Sequence, residues 1–273
     1  MTTLDTARLS HLDPADPLPV RVHGRNRRSP FLLLCDHAGN AVPKRLGSLG
    51  LSAEQMRMHI AWDPNAWDQT LELADLLDAT AIGQGYSRLV IDCNRLITTS
   101  DSIARVSDGV VVPGNADVSR EERQRRIAAF FEPYHECIAG EIDARRSRPL
   151  CIVTMHTFTP RLAGGSPRPW HIGVMSGSDG RMRKRVIERL AGARRDLTVG
   201  DNEPYIIRVE ENYTLPVHAE RAGVPYVQFE LRNDLFGDPE SRGEICALLA
   251  RVLTESFADL PASGRSIPPE ASR

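Results

Sequence analysis

Nothing in this chain approaches the roughly 18 consecutive apolar residues of a membrane-spanning helix. Its first twenty positions hold no apolar core of signal-peptide length either. These two absences argue against a membrane or exported protein and point to the cytoplasm. Charge of one sign is lacking too: 34 Lys and Arg against 36 Asp and Glu leave −2, so no field favours nucleic acid or an anionic membrane. Cysteine is sparse, odd in number and scattered: Cys35, Cys93, Cys137, Cys151 and Cys246 lie mostly inside apolar runs. That pattern does not suggest a disulfide framework or a Cys-based zinc site and fits small buried hydrophobes. Only Cys35 and Cys93 adjoin polar strand ends, where an activated thiol would need a base nearby. There is no Gly-x-Ser-x-Gly elbow to support a serine hydrolase, and no internal repeat.

What is present suffices for a substantial core: 273 residues, 41% apolar. Residues 1–28 (Pro, Asp and Arg without periodicity) and 261–273 (Pro and Ser) read as tails, the first holding His11 and His23. Residues 29–260 between them read as a single domain of alternating strands and helices. Helices are expected over Trp67–Ala79, Ser119–Arg146, Gly180–Ala193 and Ser241–Ala258. The second opens on a capping-box sequence at Ser119 and should break or kink at Pro133. Strands are expected at Phe31–Leu34, Ala81–Ile82, Arg88–Ile91, Cys151–Met155, Ile172–Met175, Tyr205–Val209 and Tyr226–Phe229. This order predicts an α/β fold, a three-layer α/β/α domain around a mixed, largely parallel sheet. The long segment Thr98–Ala116 is a candidate lid or a solvated excursion.

Four strand-length apolar runs end on polar groups: the first on Asp36-His37-Ala38-Gly39-Asn40, then Asn94-Arg95, His156 and Glu230-Leu231-Arg232. Ligands of open α/β sheets sit beyond the carboxyl ends of strands, so these groups are expected to share a pocket for a small molecule. His37 and His156 can offer neutral imidazoles to a metal, and Asn40 an uncharged oxygen, although a turn Asn often only closes an Asx turn. Two imidazoles and one oxygen leave a fourth position for water, as in a catalytic zinc site. Asn94 and Arg95 suit a substrate carboxylate, unless Arg95 merely pairs with Asp92 or Asp101. Glu230, in an apolar strand, must be paired, with Arg232 for example, or poised as a general base. His218 is the best further candidate to contact substrate, and Asp63 either orients a ligating imidazole or caps the next helix.

Several segments together resemble the N-formylglutamate amidohydrolase family between about Pro30 and Phe236. They are Cys-Asp-His-Ala-Gly-Asn-Ala-Val-Pro (35–43), His-Ile-Ala-Trp-Asp (59–63), Tyr-Ser-Arg-Leu-Val-Ile-Asp-Cys-Asn-Arg (86–95), Ser-Asp-Gly with Val-Pro-Gly-Asn (107–115), Pro-Tyr-His (133–135), Met-His-Thr-Phe (155–158), Asn-Glu-Pro-Tyr (202–205) and Gln-Phe-Glu-Leu-Arg (228–232). The family is similar to the zinc carboxypeptidase and aspartoacylase superfamily, with a phosphorylase/hydrolase-like fold. The resemblance implies hydrolysis of the amide bond of an acidic N-acyl amino acid such as N-formylglutamate, using one divalent metal ion, zinc. Carried onto this chain, His37, Asn40 and His156 would be the metal ligands, with Asn40 where the superfamily has a glutamate. Glu230 would be the base, and Asn94 and Arg95 would hold the substrate carboxylate. The alternative is a carboxylate-binding protein that keeps the pocket without firm metal binding.

Overall fold

The structure, a computed structural model, describes residues 12–262. His11 and most of the expected carboxyl-terminal tail lie outside that range. The chain forms β1 (Val20–His23), β2 (Phe31–Cys35), α1 (Ala66–Leu76), β3 (Thr80–Gln84), β4 (Val106–Ser107), β5 (Val110–Val111), α2 (Arg120–Arg126), α3 (Glu132–Asp143), β6 (Cys151–Phe158), β7 (Ile172–Met175), α4 (Arg181–Ala193), β8 (Val199–Asp201), β9 (Tyr226–Arg232) and α5 (Pro239–Ala258). Seven strands make one sheet in the order β1-β3-β2-β6-β9-β7-β8, while β4 and β5 form a separate hairpin. β3, β2, β6 and β9 run parallel; β1 and β7 each meet their inner neighbours antiparallel, and β8 is parallel to β7.

Period-two alternation along the strands builds the layers. Leu32 and Leu34 of β2 join Ile152 and Tyr226 in a core with Phe130, Tyr134 and Ile138. Phe31 and Leu33 join Val153, Val227 and Phe229 in a second core with Leu73 of α1, Val186 of α4 and Leu249 of α5. Strands apolar on both faces between helical layers give the expected three-layer α/β/α arrangement.

Three local readings are corrected. Val20–His23, within the segment read as a tail, is the edge strand β1. Residues 88–91 do not form a strand: the Ser87 hydroxyl accepts from Leu89 N at 3.1 Å and Val90 N bonds Ser87 O, which curls the buried Leu-Val-Ile run into turns. Residues 205–209 lie outside regular structure, and the short strand there is β8 instead.

The long helix predicted from Ser119 starts on its cap, with Ser119 Oγ accepting from Glu122 N. A π-helical stretch, Ile127–Phe131, separates α2 from α3, whose first turn holds Pro133. Another π-helical turn, Pro216–Glu220, carries His218. Together they stack His135 and His218, ring centroids 5.2 Å apart, with His135 Nδ1 3.0 Å from His218 Nε2 and His135 Nε2 2.9 Å from Cys93 O. The carbonyl can only accept, so His135 Nε2 donates to it and His218 donates to His135 Nδ1.

This pair should make folding stability sensitive to acid. Burial, then the neighbouring His218, holds His135 down to about 3, and burial holds His218 down to about 4. Unfolded, each titrates near ~6.5. As pH falls below about 6.5 the unfolded chain takes up protons that the folded chain refuses, so stability is lost with falling pH. Urea denaturation should show stability declining from pH 6.5 to 5, with a shallower slope in His218→Gln whatever its stability at pH 7. Equal slopes would contradict the assignment.

Candidate active site

The site gathers where β2, β6 and β9 end. Register places His156 of β6 opposite Glu230 of β9, and Gly173 of β7 on the other side of Glu230. Because Met155 and Phe229 point into the second core, alternation turns His156 and Glu230 to the opposite face. His37 follows β2 in a tight turn: a Cβ on Gly39 would lie 2.3 Å from Gly85 O, so only glycine lets the turn pack this closely. These side chains face a cleft of about 810 Å³.

At its floor, the Asp63 carboxylate is a hub. Asp63 sits just before α1, its backbone N donating to His37 O at 3.1 Å. Its Oδ2 lies 3.3 Å from His37 Nδ1 and 2.9 Å from His156 Nδ1, and accepts from Thr157 N at 3.4 Å. Its Oδ1 accepts from Arg88 Nη2 and lies 3.1 Å from His59 Nε2. The outer nitrogen of each central imidazole meets its own buried carboxylate: His37 Nε2 lies 2.9 Å from Asp92 Oδ1, and His156 Nε2 3.1 Å from Asp36 Oδ2. Asp36 is fixed in turn by the Tyr134 hydroxyl at 2.9 Å and the Thr214 hydroxyl at 2.7 Å, and Asp92 by Asn94 N at 2.8 Å.

Burial, reinforced by Arg88, lowers His37 to about 4 despite the pull of Asp92. Burial also works against a charge on His156, but the hydrogen bond to Asp36 and the nearby Glu230 raise it overall. Burial alone would raise Asp36 and Asp92; the histidines beside them leave both lowered. With His37 neutral, its Nε2–H donates to Asp92 and its Nδ1 lone pair faces a carboxylate oxygen.

His37, Asp63 and His156 each offer one ligand atom, and these atoms lie within 4.8 Å of one another. Two Nδ1 atoms and one carboxylate oxygen, with each Nε2 anchored on a further carboxylate, match the donor chemistry of a divalent metal site with its supporting shell. Charge agrees: three buried carboxylates, Asp36, Asp63 and Asp92, contact the two imidazoles, against the one guanidinium of Arg88 on Asp63. The residues present therefore fit a divalent cation.

The structure brings His37, His156, Glu230, Asn94 and Arg95 to one cleft. Glu230 is 4% exposed; its Oε1 accepts from Gln228 Nε2 at 3.2 Å, and its Oε2 has no hydrogen-bond partner among the described residues. Arg232 pairs with Asp234 at 2.8 Å instead of with Glu230. Arg95 reaches Asp101 at 3.2 Å and Glu211 at 3.8 Å. Two expected residues stand apart from the cleft lining: Asn40 donates through Nδ2 to Met56 O at 2.8 Å, and His218 pairs with His135. Burial pushes the Cys35 thiol up to about 12 and Cys93 well above its usual range, the direction opposite to an activated thiol. Of the segment 98–116, Asn115 is anchored on Leu89 O and Ala104 O, while Ser107 and Asp108 at the hairpin tip line the cleft.

The oxygen donor nearest both imidazoles is Asp63, which the sequence offered only as an orienting or capping residue. Its signal was the His-x-x-x-Asp-Pro spacing at the start of a helix. Asp36 and Arg88 lie beside the candidate positions without a role of their own in the sequence reading, and Asp92 enters it only as an alternative partner of Arg95.

A family model described as N-formylglutamate amidohydrolase matches residues 29–237. Among solved structures, a gene product of Agrobacterium tumefaciens is 32% identical, superposes with a TM-score of 0.87, and the match covers 91% of this chain and 98% of that one. An N-formylglutamate amidohydrolase from Ralstonia eutropha JMP134 shares the fold at 17% identity and a TM-score of 0.67, covering 89% of this chain and 100% of that one. No curated protein matches. No helix among the described residues is long and apolar enough to cross a membrane. With a family model matched over most of its length, this chain belongs to the N-formylglutamate amidohydrolase family.

Proposed function

We propose that the protein hydrolyses the amide bond of an N-acyl amino acid, acidic in its amino-acid part as N-formylglutamate is, with one divalent ion, zinc, held by His37, Asp63 and His156. The carrying observation is the pair of imidazoles that turn Nδ1 to Asp63 Oδ2 while Asp92 and Asp36 hold their Nε2 atoms, next to a carboxylate with one oxygen free. In this reading Asp63 takes the place expected for Asn40. A charged oxygen ligand also removes the reason for weak metal binding behind the carboxylate-binder alternative.

When bound, the ion supplies Lewis acidity to the amide carbonyl and to the attacking water. Glu230 Oε2 takes the proton of that water and passes it to the departing amine nitrogen. Asn94 and Arg95 hold the substrate carboxylate, placing the amide between Glu230 and the two histidines. Arg88 fixes the Asp63 carboxylate and puts a permanent positive charge beside the oxygen that becomes negative in the transition state.

Calorimetric titration with zinc should give one site per chain, weakened at least ~100-fold by Asp63→Asn or His156→Ala, ~10–100-fold by Asp92→Asn, and hardly by Asn40→Ala. Strong weakening by Asn40→Ala with none by Asp63→Asn would restore the original ligand set. Zinc-loaded protein assayed on N-formyl and N-acetyl amino acids should favour glutamate and aspartate. Glu230→Gln should lower kcat by roughly 10²- to 10⁴-fold while binding zinc normally. If no member of that panel is hydrolysed and Glu230→Gln changes nothing, the enzymatic reading fails.

A further inference from the structure

The floor of the cleft is polar, and exposed apolar side chains share the lining with the charged ones. Met58, Leu162 and Ile206 line it from three different segments and are 42%, 36% and 58% exposed. Three more exposed hydrophobics lie close in sequence to lining residues: Val106 and Val111 pair on the hairpin that carries Ser107 and Asp108, and Val209 follows Arg208. Of the eight large hydrophobics exposed among the described residues, three line this one cleft. Exposed apolar side chains scattered singly need no explanation, whereas gathered around one polar cleft they mark a contact surface.

The hydrolytic reading leaves this surface without a task. The amide is occupied by the metal group and Glu230, and the α-carboxylate by Asn94 and Arg95. An acidic side chain finds Arg57 and Arg208, both exposed and both lining the mouth. The piece of substrate still to be placed is the acyl group. A formyl group has a single carbon and no apolar surface to bury, and at about 810 Å³ the cleft is in the upper part of the ~300–1,000 Å³ range of pockets that enclose drug-sized ligands.

Resting on that reading, we infer that the preferred substrate carries an acyl chain of several apolar carbons, seated on Met58, Leu162 and Ile206. The reaction is unchanged by this: water adds its oxygen to the acyl carbon, the C–N bond breaks, and the products are a fatty or branched carboxylic acid and the free amino acid.

The test is a homologous series, N-formyl-, N-acetyl-, N-butyryl- and N-hexanoyl-glutamate, assayed for kcat/KM with zinc-loaded protein. Equilibrium affinity for the same compounds is measured in parallel on the Glu230→Gln variant. Both should rise roughly two- to fourfold per added methylene, and Ile206→Ser or Met58→Ser should lower the hexanoyl-to-formyl ratio about tenfold. Turnover that is best with formyl, with no gain in affinity along the series, overturns the inference and leaves the hydrolytic reading standing. Affinity that rises with chain length while nothing is hydrolysed keeps the apolar seat and overturns hydrolysis. A gradient that follows the amino-acid side chain at fixed formyl, and not the acyl chain, also overturns the inference.

Discussion

The Asp63 carboxylate holds the site together. It is 1% exposed, and its two oxygens meet His37, His156 and Thr157 on one side and Arg88 and His59 on the other. A carboxylate this deep is tolerable only with its charge compensated and its lone pairs occupied, and removing one partner of such a buried group costs about 3–5 kcal/mol. Asp63 therefore ties the turn after β2, the end of β6 and the start of α1 into one unit. The positions of both imidazoles are fixed before any ligand arrives.

That hub works because the sheet presents its partners in register. Parallel pairing of β2, β6 and β9 brings Asp36, His37, His156 and Glu230 to one edge, and the two-residue period of the strands turns His156 and Glu230 away from the second core. Tyr134 and Thr214, from opposite parts of the chain, lock Asp36 and through it His156. Against this rigid, charged floor the mouth is built from irregular segments around Met58, Leu162 and Ile206. The division suits an enzyme whose chemistry is fixed by strands and whose substrate range is set by loops.

His156 and Glu230 stand out in the sequence because each follows an apolar strand run without leaving the strand, where a polar group is costly unless it is partnered, and His37 because it closes the first such run. Asp63 could not be ranked the same way. It lies in a turn, 26 residues from His37 and 93 from His156, and only the crossover topology brings them together. Asn40 looked like a ligand by spacing from His37, yet the turn aims its carboxamide at Met56 O. The same limit explains the misread elements. Leu89-Val90-Ile91 has strand composition, but Ser87 curls it. β1 is too polar to stand out because it is an edge strand, exposed along one side. The π-helical turns that join His135 to His218 leave no trace in a 3.6-residue period.

Diffraction from zinc-soaked crystals, collected at the zinc absorption edge, tests this arrangement most directly. The expected result is one anomalous peak about 2.0–2.2 Å from His37 Nδ1, His156 Nδ1 and an Asp63 oxygen, with Asp92 and Asp36 still on the outer imidazole nitrogens and Glu230 nearby but not bonded to the ion. A peak ligated by Asn40 in place of Asp63, or none at this cluster at saturating zinc, would contradict it.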